Sequence, residues 1–325
     1  MRILAVDDEH YILELMPMLA ARVGFHDVTT ASSGGIALEI LLRDDAHFDC
    51  FLLDINMPGM DGIELCSRIR QIPAYRKTPI IMLTAMSERE FMDAAFKAGA
   101  TDYATKPFDI HELGTRLRVA HELVLAQQAA EMARSAGAVS VQPADRPHAF
   151  ELAEPIALDG VDGLVDFHSL KNYLKQISRS GLAASQVIAV RVDQIKDVYE
   201  QAKTDEFTYA LCEVACAVTE TLQTNGCLIS YAGDGVFVVV SNCAAPLSAS
   251  DIESDVQQVL DEKNSEYDNG NPMDLEVSVG TPVRPNFGDH ADVPRAIERA
   301  MARAHDRSVS KRLKPRGVNI FMPAS

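Results

Sequence analysis

Short, unbroken apolar runs punctuate the first hundred residues: Ile3–Val6, Cys50–Leu53 and Ile80–Leu83, each ending at a polar side chain. Runs of this length suit strands buried on both faces of a parallel sheet. Strands are expected near residues 2–6, 27–31, 50–54, 79–83 and 101–104. Helical periodicity fills the gaps near 10–23, 33–43, 62–71 and 88–98, and Gly99-Ala100 supplies a stop for the fourth helix. This alternation predicts a doubly wound α/β domain. A fifth helical pattern starts at Asp109 and runs to about Ser135 without a stop, with Leu113, Leu117, Ala120 and Ala130 near helical spacing. Such a helix projects beyond the first domain, either to pair with a second copy of the chain or as a solvated linker helix.

From Gly137 to about Pro155 periodicity gives way to Ala, Pro, Ser and Gln, the composition of a flexible linker. A second pattern follows. Ser185–Val192 reads as a strand and Glu206–Thr221 as an amphipathic helix. Cys227–Tyr231 and Val236–Ser241 flank Ala232-Gly233-Asp234-Gly235, a hairpin signal. A helix at 250–263, a strand at 274–281, a helix at 292–312 and a strand near Val318–Phe321 complete an α+β domain. The expected organisation is therefore a domain over 1–120, a helical extension and flexible linker over 121–157, and a second domain over 158–325.

The length of 325 residues fits two or three domains. No apolar run reaches the length of a membrane span and the amino terminus lacks a signal pattern, so the expectation is a soluble, cytoplasmic protein with no membrane partner. Six scattered cysteines form no framework. Cys212, Cys216, Cys227 and Cys243 make a metal site conceivable, but small buried residues are the preferred reading. Charge is uneven. Residues 1–294 hold 45 acids and 22 bases, whereas residues 295–325 hold 2 acids and 8 bases. The acidic body argues against nucleic acid as a partner. In the tail, Arg295, Arg299, Arg303, Arg307 and Lys311 recur every four residues. The stripe has three readings: neutralisation by acids such as Asp251, Glu253 and Asp255, plain solvation, or docking of an acidic protein.

Chemistry concentrates where the first domain's strands end. Asp7 and Asp8 lie at the end of the first expected strand, Asp54 of the third and Thr84 of the fourth, and Lys106 follows the fifth. Parallel strands ending together would converge three carboxylates, a hydroxyl and an ammonium on one point, at the edge where open α/β sheets bind ligands. Crowded carboxylates repel unless a hard cation, most naturally magnesium, neutralises them. Asp54 then becomes a candidate nucleophile toward a phosphoryl group, with Thr84 and Lys106 holding its oxygens.

The segments VDDE, LLDINMPGMDG, LTA and DYATKPF, in this order and spacing, resemble a response-regulator receiver domain. The resemblance covers about the first two-fifths of the chain. It implies a flavodoxin-like (βα)5 fold and Asp54 as phosphoacceptor. It also implies Mg2+ on Asp7, Asp8, Asp54 and the backbone carbonyl of Asn56, and Tyr103 as a switch residue coupled to Thr84. A cis Lys106–Pro107 bond and a histidine kinase or histidine phosphotransfer protein as donor follow as well.

In the second domain, YAGDGVFVVV resembles the signature hairpin of GGDEF domains, which condense GTP into cyclic di-GMP. Leu158–Val161 with Phe167, Val192–Lys196, Val277–Gly280 and Arg299–Met301 match further motifs in order. The resemblance implies a ferredoxin-like fold over about 158–321. The departures are specific. The family's metal-binding Asp falls on Arg191 and its signature Glu on Gly235. The guanine readers fall on Tyr199 and Thr208, the triphosphate contacts on His305 and Val309, and the product site on Gln223 and Gly226. Asp234 and Lys196 remain. The expectation is a catalytically inactive output that binds a protein partner, with Arg191 paired to Asp234. The alternatives are an active diguanylate cyclase and a GTP-binding sensor.

Overall fold

The computed structural model describes the chain apart from residues 44–45, 86–88, 138–147, 149, 159, 178–184, 223–226, 244, 286–291 and 314–325. It divides into two compact units: Met1–Arg146 with Val165–Ile177, and Pro147–Leu164 with Ser178–Ser325.

The first unit alternates β1 (Arg2–Val6), α1 (His10–Arg22), β2 (Asp27–Ala31), α2 (Gly34–Leu41), β3 (Cys50–Asp54), α3 (Gly62–Gln71), β4 (Ile80–Thr84), α4 (Arg89–Lys97), β5 (Asp102–Thr105) and α5 (Ile110–Gly137). All neighbouring strands pair in parallel in the order β2-β1-β3-β4-β5. The unbroken apolar runs are explained by burial on both faces: every residue of β3 and β4 is buried. On one face Ile3, Leu52, Ile81 and Leu83 pack with Met16 of α1 and Leu113, Leu117 and Ala120 of α5. On the other, Phe51 meets the Tyr75 ring edge-on at 5.2 Å. Loop carbonyls here are satisfied by Arg70 at the end of α3. Its guanidinium donates to Gly99 O at 2.7 and 2.9 Å, Tyr75 O at 2.8 Å and Thr78 O at 2.7 Å.

One further helix belongs to this unit, α6 (Phe167–Gln176). Asp166 caps it by accepting from the backbone N–H of His168 at 2.7 Å and of Ser169 at 3.3 Å. The sequence boundary at 158 therefore does not coincide with the compact units, since the chain contributes Val165–Ile177 to the first after entering the second at Pro147.

The second unit contains β6 (Gln186–Val192), α7 (Ile195–Gln201), α8 (Thr204–Leu222), β7 (Cys227–Tyr231), β8 (Val236–Ser241), α9 (Ala249–Lys263), β9 (Val277–Val279) and α10 (Asp292–Leu313). Its strands form an antiparallel sheet in the order β7-β8-β6-β9. Ile188, Val190, Phe237 and Val239 share a core with Phe207, Leu211, Val214 and Val218 of α8 and Val256 and Leu260 of α9. The strand expected near 318–321 lies outside the described residues.

Part of the expected flexible linker is instead packed structure. His148 stacks on Tyr199 with ring centroids 4.0 Å apart, and Phe150 lies 5.9 Å from Phe207. The Tyr199 hydroxyl donates to Phe150 O, and Leu152 O accepts from Asp234 N at 2.9 Å. Aromatic area with satisfied polar ends outweighs the low periodicity of this stretch.

Candidate functional site

The strand register brings Asp7, Asp54, Thr84 and Lys106 to one edge of the first sheet. Val6 lies opposite Leu53, Asp54 opposite Leu83, and Thr84 opposite Thr105. The Lys106 N–H closes the last step by donating to Thr84 O at 2.7 Å. Gly62, the first residue of α3, holds the next turn against β3, its N–H donating to Ile55 O at 2.9 Å. Asp61 caps α3 by accepting from Glu64 N at 2.7 Å, which explains the dense turn sequence after Asp54.

The resulting cluster is compact. Lys106 Nζ lies 2.8 Å from Asp7 Oδ2, 2.8 Å from Asp54 Oδ1 and 3.7 Å from Glu9 Oε1. Asp7, Asp8 and Asp54 each offer an oxygen, all within 4.8 Å of one another. Asp7 and Asp54 are buried and Asp8 is exposed, so the pocket opens to solvent on one side. Burial pushes the Asp54 carboxyl above the usual range; the Lys106 hydrogen bond and charge oppose this, and Asp7 and Asp8 add to it. Burial works against the charged Lys106, yet the hydrogen bonds to Asp54 and Asp7 and their charges hold its pKa above the ordinary value.

Three carboxylates against one ammonium leave excess negative charge, and the donors are all hard oxygens. That set fits a magnesium ion. Among the described residues it is the cluster of His, Cys, Asp and Glu close enough to hold a metal; the four cysteines considered for one are free thiols.

Thr84 is buried at the strand edge, and Asn56 is exposed two residues past Asp54. The Lys106–Pro107 bond is cis. Tyr103 is farther along β5. Its hydroxyl donates to Gln176 O at 3.1 Å, and the Arg116 guanidinium lies 5.7 Å from its ring centre. Sequence reasoning missed Glu9 at the pocket rim. The VDDE run held the signal, because Asp7 Oδ1 accepts from Glu9 N at 3.0 Å and so turns that side chain toward the pocket.

The second group of residues is not drawn together in the same way. Lys196 is exposed and pairs with Glu200 at 3.7 Å. Asp234 sits at the hairpin apex with φ 51° and an exposed side chain, while Arg191 is half-buried on β6. Among the described residues no ion pair joins Arg191 to Asp234, which corrects the expected pairing: the apex backbone is instead held by Leu152 O. At Gly235, φ is 69°, and a Cβ would stand 2.7 Å from Ile195 Cβ and Cγ1. A bulky acidic side chain has no room there. Tyr199 is tied to Phe150 O, and Thr208 Oγ1 donates to Thr204 O at 2.8 Å.

The tail stripe is largely engaged within the unit. Arg307 makes a two-pronged contact with Glu253 at 2.7 and 3.0 Å. Lys311 donates to Val277 O at 2.8 Å and lies 3.5 Å from Asp193, and Arg303 donates to Thr281 O and Pro282 O. Glu253 was among the acids expected to face it; Asp193 was not.

Residues 3–118 match the family described as response regulator receiver domain. Transcriptional regulatory protein SrrA of Staphylococcus aureus is 39% identical over 116 residues, covering 36% of this chain and 46% of that protein. The chain thus spans about half the length of the curated relatives it matches. Among solved structures, chemotaxis protein CheY4 of Vibrio cholerae is 34% identical over 37% of this chain and 97% of its own, with a TM-score of 0.35. A putative response regulator from Chloroflexus aurantiacus is 36% identical over 37% and 95%, with a TM-score of 0.34. Together with the five-stranded parallel sheet and its carboxylate–ammonium edge, the family match identifies residues 3–118 as a response regulator receiver domain.

Proposed function

We propose that this chain is a phosphorelay response regulator in which Asp54 accepts a phosphoryl group from a phosphohistidine on a histidine kinase or phosphotransfer protein. The observation that carries this reading is Lys106 Nζ held 2.8 Å from both Asp7 and Asp54, with Asp8 beside them. In the transfer the donor's phosphorus–nitrogen bond breaks, a bond forms from an Asp54 oxygen to phosphorus, and the imidazole leaves with its electron pair. Lys106 steadies the negative oxygens of the transferred group, and Thr84 lies at the same sheet edge to hold another. Asp7, Asp8 and Asp54, with the Asn56 carbonyl, would hold Mg2+, which when bound supplies positive charge to the phosphoryl oxygens.

The second unit reads as a degenerate GGDEF-like output that binds a protein partner and has no catalytic role. Counted from β6, its strands run second-third-first-fourth across an antiparallel sheet, which supports a ferredoxin-like class. Arg191 at a metal position and the filled space beside Gly235 support inactivity, because two metal-bound phosphates need carboxylates there. Among the described residues no helix is long and apolar enough to cross a membrane, and the six thiols are free. We place the protein in the cytoplasm.

Acetyl phosphate with Mg2+ should add one phosphoryl group to the chain by intact mass, and Asp54→Asn should abolish it. Phosphate on the Asp54→Asn protein would overturn the assignment. Pyrophosphate release from GTP and Mg2+ would overturn the inactive reading of the second unit.

A further inference from the structure

Where the chain enters the second unit, His148, Phe150, Leu152 and Ala153 form a strap that ties the α7–α8 corner to the apex of the β7–β8 hairpin. At the corner, the His148 ring stacks on Tyr199 with centroids 4.0 Å apart and lies 5.4 Å from the Phe207 ring. Its Nε2 donates to Tyr199 O at 2.6 Å, since a carbonyl can only accept, and its Nδ1 is 3.4 Å from Thr204 Oγ1. Only 8% of His148 is exposed. The Phe150 ring joins the cluster 5.9 Å from Phe207, and Phe150 O accepts from the Tyr199 hydroxyl. At the apex, Leu152 O accepts from Asp234 N at 2.9 Å. Beside it, a Cβ on Gly233 would stand 2.2 Å from Ala153 O.

The imidazole is held as a heteroaromatic ligand is held, flat on an aromatic face with both ring nitrogens facing polar atoms. Both ends of the strap fall on positions that the sequence assigned to the degenerate site: Tyr199 at a guanine-reader position, and Asp234 in the signature turn. Tyr199 serves the strap with every group it has, its ring and carbonyl to His148 and its hydroxyl to Phe150. Gly233 has a reason of its own in this chain, because the backbone of Ala153 leaves no room for a side chain there.

We propose that His148 and Phe150 are a built-in occupant of the second unit's nucleotide groove: the cleft beside Tyr199 takes a planar nitrogen heterocycle, and the chain's own imidazole fills it. This rests on the degenerate GGDEF-like reading of the second unit. The occupant is tethered, so it competes with any free base at a high effective concentration. A nucleotide in solution meets an open groove only in the fraction of molecules whose strap is lifted, and its apparent affinity falls by that fraction. Tyr at a guanine-reader position and Gly at the apex are thereby explained together, as the two surfaces on which the strap lies.

Calorimetric titration of the full chain with GTP and Mg2+ tests this. His148→Gln keeps an N–H donor for Tyr199 O and removes the stacked ring. The variant should bind GTP at least about tenfold more tightly than the natural chain. A variant affinity no greater than the natural chain's, with native circular dichroism retained, overturns the built-in occupant and leaves the inactive reading intact. Pyrophosphate release by the natural chain overturns the inactive reading, and the inference with it. His148→Ala reads the cleft directly. It leaves a ring-sized space on Tyr199, so added imidazole should restore most of the thermal stability that the substitution removes. Imidazole that moves the Tm of His148→Ala no more than that of the natural chain also overturns the proposal.

Discussion

Gly62→Ala should damage the pocket without touching any of its charged groups. Gly62 opens α3, and a Cβ built on it would stand 2.0 Å from Asp54 O, 2.8 Å from Asp54 C and 3.1 Å from Ile55 Cα. All three atoms are backbone of the peptide that follows the phosphoacceptor, so no side chain can swing away. Restoring ordinary contact, at about 3.3 Å or more, requires a relative shift of over about 1 Å. That shift strains the Ile55 N–H bond to Leu83 O at 3.0 Å and the Gly62 N–H bond to Ile55 O at 2.9 Å. Overpacking of this kind costs about 1–3 kcal/mol, and here the upper end is expected because the clash is backbone on backbone. A displacement of about 1 Å at a reacting group can lower a rate by about a hundredfold.

The assay is the initial rate of acetyl phosphate labelling with Mg2+, read beside calorimetric unfolding of the full chain. Gly59→Ala is the matched control. Gly59 lies in the same loop with φ +81°, but a Cβ there meets nothing within 4 Å. Its cost is left-handed backbone strain of about 1 kcal/mol, and its labelling rate should stay within about twofold of the natural chain. A Gly62→Ala protein that labels as fast as Gly59→Ala would refute the steric argument.

Arg70→Met should destabilise the first unit by about 3 kcal/mol, because three loop carbonyls lose their donor together; urea unfolding of the full chain measures it. In the second unit, burial raises the Glu253 carboxyl, but hydrogen bonds from Arg307 and the Val279 N–H, with the Lys311 and Arg307 charges, bring it below the usual range. The folded state therefore prefers the charged form, so this contribution is present at neutral pH and is lost as pH falls below about 4.3. Glu253→Gln should flatten the acid limb of the stability profile there. Burial, aided at Cys50 by the Asp49 charge, pushes the Cys50 thiol to about 12 and Cys66 to about 11. Neither should alkylate with iodoacetamide at pH 8 until the chain unfolds, which peptide mapping of the labelled protein detects.

The first unit was legible because its signals are local. Strands buried on both faces must be apolar throughout, so their ends are marked by the residue that breaks the run: Asp7, Asp54 or Thr84. In a parallel sheet those ends meet, and the pocket follows from the pattern. Arg70 was not legible, because its partners are backbone carbonyls at 75, 78 and 99, which leave no trace in side-chain type. Helix α6 was hidden for a different reason. Phe167 sits in a motif that resembled the entry of the second domain, while what assigns the helix to the first unit is contact with Asp93, Phe96 and residues 101–103.

The four-residue repeat in the tail shows how a correct pattern can carry an incomplete cause. Read as charge, Arg295 to Lys311 is a basic stripe that should weaken its own helix. One position further on runs a second repeat, Ala296, Ala300, Ala304 and Ser308, all buried. Its small side chains let α10 approach the sheet closely: a Cβ on Gly280 would stand 2.6 Å from Ala304 N and 3.0 Å from Ala300 O. The close approach fixes where the basic residues go. Each lies one residue before a contact position, at the margin of the packed face, where Arg303 reaches the carbonyls of Thr281 and Pro282 and Lys311 that of Val277. Asp193 accepts from Ser308 and, at 2.8 Å, from Ser278, and Lys311 lies 3.5 Å from it. Mutual repulsion along the helix is thus offset by acceptors on the sheet. The Ala-Ser row sets the docking distance, and the lower half of the basic row is committed to holding α10 in place.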